Sequence, residues 1–187
     1  LIQRSTALKA KVSGIPFARK LSSDQDRLAK LVGGPLAPIT NLVNSIKPMR
    51  QLSAIVTGIH PDAKLPTYQT PTVTKWFNRK YGEVNRLPEE PSGKVVFFAS
   101  CTVDYSEQQI GHAILKVLDH NNVQVAMPGQ QCCGMPLVDA GDYAGAETKM
   151  MHNLRMLSSW VDDGYDIVVA QPTCALMIRE EYLRNSR

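Results

Sequence analysis

At 187 residues and 43% apolar, the chain is long enough for one full domain and an appendage. Its four cysteines, with 30 residues before and 40 after an adjacent pair, are too widely spaced for a small disulfide scaffold and fit a reducing compartment. The net charge of +4 divides unevenly, with 14 Lys and Arg against 6 Asp and Glu over residues 1–90 and 7 against 11 over residues 91–187; no apolar run approaches the roughly 18 residues of a membrane span, no charged segment leads into an apolar one at the start, and the absence of a Walker loop, nucleophile elbow or G-x-G-x-x-G removes support for a nucleotide-binding enzyme.

The basic part, residues 1–92, is expected to be a mostly helical extension and linker. It opens on Leu1 without a methionine, as a processed chain or a piece of a longer one would. A first helix runs to Val12. After Ser13-Gly14-Ile15-Pro16 a second covers Asp24 to Val32, with Ser23 as its cap and Gly33-Gly34-Pro35 as its stop. Ile39, Leu42, Val43, Ile46, Met49, Leu52, Ile55, Val56 and Ile59 then recur at steps of three and four, one apolar face passing through a kink or break at Pro48. Such a face usually packs on its own protein or a partner subunit. Lys47 and Arg50 beside it keep open a helix lying on an anionic membrane surface. The basic residues are scattered and lack an aromatic-rich binding motif, so nucleic acid is set aside. From His60-Pro61 to Pro91 the chain reads as a tether that ends at Pro88-Glu89-Glu90-Pro91, with Trp76, Phe77 and Tyr81 on a short docking helix.

Residues 93–187 read as an α/β unit. Apolar runs at Lys94–Ala99, Val123–Met127 and Asp166–Ala170 predict strands, and the stretches between them predict helices: Ile110, Ala113, Ile114, Val117 and Leu118 line one face, and Tyr143, Ala146, Met150, Leu154, Leu157 and Val161 line another. Asn121-Asn122 and Asp163-Gly164 stop these helices. The alternation is that of a parallel, doubly wound βαβ sheet, whose ligands bind beyond the carboxyl ends of the strands. Cys101, Cys132-Cys133-Gly134 and Cys174 each follow one of the three runs, so three strand ends aim four thiols at one crevice.

Metal is the first candidate occupant. Pro172-Thr173 opens a last helix, with Thr173 as its cap and Cys174 in its first turn, where orphan N–H groups favour a thiolate. The adjacent Cys132 and Cys133 point in different directions. A polynuclear iron–sulfur centre accommodates that better than one zinc ion, although tetrahedral zinc bound by four cysteines remains allowed. A third reading is a regulatory dithiol in which Cys132 and Cys133 close a vicinal disulfide. His112, His120 and His152 lie on or at the ends of helices and are read as exposed or capping residues. Asp104 and Tyr105 either tune the site or form a hydrogen-bonded turn, and Met135, Met150, Met151 and Met156 are packing residues.

Cys101, Cys132-Cys133-Gly134-Met135-Pro136 and Cys174-Ala175-Leu176-Met177 together resemble the cysteine-rich CCG domain of heterodisulfide reductase-related subunits. Pro35-Leu36-Ala37-Pro38-Ile39, Lys47-Pro48-Met49-Arg50-Gln51-Leu52 and Leu65-Pro66-Thr67-Tyr68 extend the resemblance to the C subunits of anaerobic glycerol-3-phosphate dehydrogenases, over almost the whole chain. The resemblance implies an electron-transfer subunit of an oxidoreductase complex, not the part that oxidises substrate. Such subunits take electrons from flavin-containing dehydrogenase subunits and pass them through iron–sulfur clusters to the quinone pool or a disulfide. They also carry a ferredoxin-like segment and a second CCG domain, so the chain is expected to be part of a larger subunit. A cytoplasmic location at the inner face of the cell membrane follows. The full family motif ends Cys-x-x-Cys and supplies five thiolates to a noncubane cluster, whereas position 177 here is Met. Cys101, Cys132, Cys133 and Cys174 would then hold a [4Fe–4S] cluster, with zinc or a metal-free scaffold for partner subunits as alternatives.

Overall fold

The computed structural model describes residues 2–85 and 90–185. Its first part is helical: α1 (Ile2–Ser13), α2 (Phe17–Ser23), α3 (Gln25–Val32), α4 (Ala37–Ser45), α5 (Lys47–Thr57) and α6 (Val73–Tyr81). The expected cap moves by one residue. Ser23 closes α2, its hydroxyl donating to the Lys20 carbonyl, and the Asp24 carboxylate takes the Arg27 N–H at 3.2 Å. A carboxylate is the stronger acceptor for the positive end of a helix. The long apolar stripe breaks rather than kinks, because Ile46 is extended and Pro48 lies in the first turn of α5, where a missing N–H costs nothing.

Among the described residues much of that stripe stays uncovered. Ile39, Leu42 and Leu52 are each 61% exposed and Ile55 82%, so of the two coverings expected for this face, its own protein or a partner subunit, the first does not reach these four. Residues 60–85, by contrast, are fastened down. Asn41 exchanges two hydrogen bonds with the Tyr68 backbone, at 2.8 and 3.0 Å. Val73 and Phe77 are buried with Phe97 and Val125. Residues 86–89, within the expected end of the tether, lie outside the described residues.

Three strands, β1 (Gly93–Phe98), β2 (Val123–Ala126) and β3 (Asp166–Val169), pair in parallel in the order β2-β1-β3. Between β1 and β2 run α7 (Ser100–Tyr105) and α8 (Gln108–His120), and between β2 and β3 run α9 (Met135–Ala140) and α10 (Tyr143–Asp162). After β3 come α11 (Pro172–Leu176), a π-helical stretch over Met177–Glu181, and α12 (Tyr182–Asn185). The β1-to-β2 and β2-to-β3 connections run in opposite directions across the sheet, so right-handed crossovers put their helices on opposite faces. Side-chain alternation agrees: Val96 and Phe98 pack with Met150 and Leu157 of α10, Val95 and Phe97 with Leu115 of α8. Strand β1, covered on both faces from Val95 onward, is an unbroken apolar run over Val95–Phe98 for that reason. The free edge of β2 is closed by Glu83 to Asn85, where the Asn85 side chain takes the Val125 N–H at 2.7 Å and the Met127 N–H reaches the Glu83 carbonyl at 2.9 Å. Strand order reverses between β1 and β3, which makes their carboxyl ends the switch-point crevice.

Candidate functional site

The turn out of β1 is sharp because Ser100, buried and not a glycine, sits at φ +60°, a left-handed conformation that costs on the order of 1–3 kcal/mol. Its hydroxyl takes the Val103 N–H at 3.4 Å. Cys101 therefore stands in the first turn of α7, not in a bare turn. The second loop is fixed by Gly134, at φ +93°, where a Cβ would also come within 3.4 Å of the Ala146 carbonyl oxygen on α10. Cys174 enters on the third residue of α11. There Pro172 takes the first helical position and Gln171 the cap, without a side-chain bond, so the expected Thr173 cap is displaced by one that starts two residues earlier.

These three turns bring the four thiols together. Cys101 hydrogen-bonds Cys132, Cys132 bonds Cys133, and Cys133 bonds Cys174. Cys132, Cys133 and Cys174 are buried and Cys101 is half-buried, and none is in a disulfide. Cys132 is the natural thiolate of the row: the bonds from Cys101 and Cys133, the Gly134 amide and the Lys149 charge bring it down to about 3 against the cost of burial. The hydrogen bond to Cys132, together with burial, pushes Cys101 far above the usual thiol range, and its bonds to Cys132 and Cys174 do the same for Cys133. Among the described residues no group of three or more His, Cys, Asp or Glu side chains is disposed to hold a single metal ion.

Helix α10 forms one wall through its buried positions Ala146, Lys149, Met150, Asn153 and Leu157. Lys149 reaches across to Asp24 at 2.9 Å and Asp26 at 3.7 Å on the N-terminal helices. Asn153, fully buried, takes the Gln131 N–H at 2.9 Å and donates to the Gln131 and Cys132 carbonyls and to the Tyr182 hydroxyl. Met177 is fully buried with Cys132, Cys133 and Cys174. A cleft of about 160 Å³ opens on the outer side of the row, lined by Cys101, Cys132, Lys30, Lys75, Thr72 and Asp104.

The other polar candidates make their contacts away from the sulfurs, although Asp104 lines the cleft and Tyr105 packs in one cluster with Cys101. Asp104 anchors the start of α6 by accepting the Thr74 N–H at 2.7 Å, and burial raises its carboxyl despite that bond. The Tyr105 hydroxyl lies 3.5 Å from Asp26, and burial pushes its phenol up. His112 meets Trp76 edge-on, His152 lies 3.1 Å from the Gly129 carbonyl, and His120 is exposed at the end of α8. Sequence reading missed Lys149, Asn153 and Tyr182. Lys149 and Asn153 carried a weak signal, two polar residues three and seven after Ala146 on a face shared with Met150 and Leu157.

Residues 95–179, which contain all four cysteines, match the family model for the cysteine-rich domain CCG. The chain carries a CCG domain. Beyond the CCG domain, the chain is distantly homologous to the C subunit of the anaerobic glycerol-3-phosphate dehydrogenase of Escherichia coli K12, 30% identical over 169 residues, which are 89% of this chain and 42% of that protein. It thus spans less than half the length of that relative. The B subunit of the fumarate reductase (CoM/CoB) of Methanothermobacter marburgensis is 31% identical over 105 residues, 55% of this chain and 20% of its own. The lactate utilization protein A of Bacillus thuringiensis is 34% identical over 88 residues, 46% of this chain and 35% of its own. No solved structure gives a significant match.

Proposed function

We propose that the protein is an electron-transfer component of an oxidoreductase complex, with Cys101, Cys132, Cys133 and Cys174 as ligands of an iron–sulfur cluster of the [4Fe–4S] type. Convergence of four thiols from three strand-following turns at the switch point carries the reading. The donor set fits the group: all four are free thiols, one is already favoured as a thiolate, and the Gly134 amide faces sulfur. A bound cluster supplies one-electron storage and transfer. The chain's own residues supply the rest. Lys149 compensates negative charge, β1 and α10 exclude water, and Cys101 forms the edge nearest the outer cleft, where an electron has the shortest path through protein. Zinc is the weaker occupant, because no three donors are set around one ion among the described residues.

By relation to the C subunit of a glycerol-3-phosphate dehydrogenase, the donor is a flavin-containing dehydrogenase subunit and the acceptor a quinone or a disulfide. We assign residues 1–92 to a helical extension and residues 93–187 to the CCG domain. No helix among the described residues is long and apolar enough to cross a membrane. The exposed stripe of α4 and α5 supports a peripheral place at the inner face of the cell membrane. Anaerobic purification with iron, zinc and sulfide analysis tests the centre: close to four irons and four sulfides per chain are expected, with all four falling together in each Cys→Ser variant. Zinc without iron in protein never exposed to air would leave only the scaffold reading.

A further inference from the structure

Three successive carbonyl groups beside the vicinal cysteines are taken up from behind. Asn153 Nδ2 donates to the Gln131 oxygen at 3.2 Å and the Cys132 oxygen at 3.3 Å, and the Tyr182 hydroxyl donates to the Cys133 oxygen at 3.1 Å. The two side chains are also joined, Asn153 Nδ2 donating to the Tyr182 hydroxyl at 3.0 Å. Both are buried, Asn153 at 0% and Tyr182 at 1% exposure. Neither bond serves the helix that carries its side chain. Leaving a polar group in an apolar helix face without partners is costly, so the satisfied network fixes one arrangement of the loop.

The consequence follows from the peptide plane. The Cys133–Gly134 bond is not among the cis peptides, and in a trans peptide the C=O and the following N–H point in opposite directions. A hydroxyl that holds the Cys133 carbonyl on the Tyr182 side turns the Gly134 N–H to the other side. There it meets the Cys132 sulfur. Gly134 tolerates this because its φ of +93° is open only to glycine without strain. Carbonyl dipoles, which repel an anionic sulfur, are thereby turned away from the row, and an amide dipole that attracts it is turned towards it.

We infer that Tyr182 and Asn153 are positioning residues that lock the Gln131–Gly134 backbone so that its carbonyls face away from the thiols and the Gly134 N–H faces Cys132. The inference rests on the proposed function for its significance, since the same orientation would favour a thiolate-bound anionic centre. Its geometry stands apart from any bound group.

Two measurements on the intact protein separate the two claims. In metal-stripped protein held reduced and anaerobic, the alkylation rate of each cysteine by iodoacetamide is mapped by peptide mass. Tyr182→Phe, which removes one oxygen and keeps the ring, is expected to speed alkylation of Cys132 at least threefold with Cys101 unchanged, because the loop loses its lock and the buried sulfur opens to the reagent more often. Leu115→Ala, a core truncation on α8 in the cluster on the other face of the sheet, is the control. A change below threefold at Cys132, or an equal change in Leu115→Ala, overturns the inference. In iron–sulfur-reconstituted protein, Tyr182→Phe is expected to retain its iron and shift the midpoint potential downwards, since an anionic centre has lost a donor; an unmoved potential also overturns it. Wild-type protein that takes up no iron refutes the electron-transfer reading while the alkylation rates still decide the lock.

Discussion

Lys149 is a buried cation on a helix face that otherwise meets apolar neighbours, and it is held there by Asp24 and Asp26. Burying an ammonium is tolerable only with such partners. Lys149→Met is therefore expected to lower the unfolding free energy by on the order of 3 kcal/mol, since Asp24 loses its ion-pair partner and Asp26 is left with Lys30 alone, and Asp24→Asn in the same chain should recover part of the loss. Urea denaturation of the two variants checks this, and equal stability of wild type and Lys149→Met would refute it. The four cysteines were legible as a set from their positions after apolar runs. Lys149, Asn153 and Tyr182 were not, because a lysine, an asparagine or a tyrosine on a helix carries no mark of the residue it meets 21 to 125 positions away. Met177 shows the reverse: the sequence marked it as a missing ligand, and the structure uses it as a core residue.

At the scale of elements, the periodicities of α8 and α10 and the three apolar runs located their helices and strands within a residue or two. The caps of α3 and α11 shifted because adjacent Ser and Asp, or Pro and Thr, compete for one helix start, and the local pattern does not rank them. Helices α4 and α5 touch each other, and α5 touches α2, but among the described residues Ile39, Leu42, Leu52 and Ile55 stay exposed, with Lys47 at the break between the helices. On the proposed peripheral reading these side chains would meet a bilayer of anionic lipid. Co-sedimentation with vesicles containing phosphatidylglycerol is expected at low salt, to weaken at high salt, and to fall several-fold in Leu52→Glu with Ile55→Glu. Binding that is indifferent to those two substitutions would transfer the stripe to a protein partner.

Across the whole molecule, the charge division inverts at its own interface. Asp24 and Asp26, acids of the basic part, meet Lys149, a cation of the acidic part. Burial alone would raise the Asp24 carboxyl, but the Lys149 bond, the Arg27 amide and both cations leave it below its ordinary value of 3.8. A depressed carboxyl adds stability that is fully present above its unfolded pKa and is lost as pH falls through the lower folded one. Wild type should thus lose stability more steeply than Asp24→Asn as pH drops below about 4. Unfolding free energies between pH 2.5 and 6 that stay parallel in the two proteins would disprove the linkage. Whatever is periodic or positional could be read from the residues in order: the parallel α/β unit, the helical character of the first part, and the placing of four cysteines just after strands. Three things emerged only on folding, namely which helix faces find partners, how residues 60–85 close the edge of β2, and how Asn153, Tyr182 and Lys149 surround the sulfurs. Hydrogen bonds and apolar alternation within one element repeat along the chain and leave a pattern in it, whereas contacts between elements are fixed by strand order and crossover hand, which no short stretch of residues encodes.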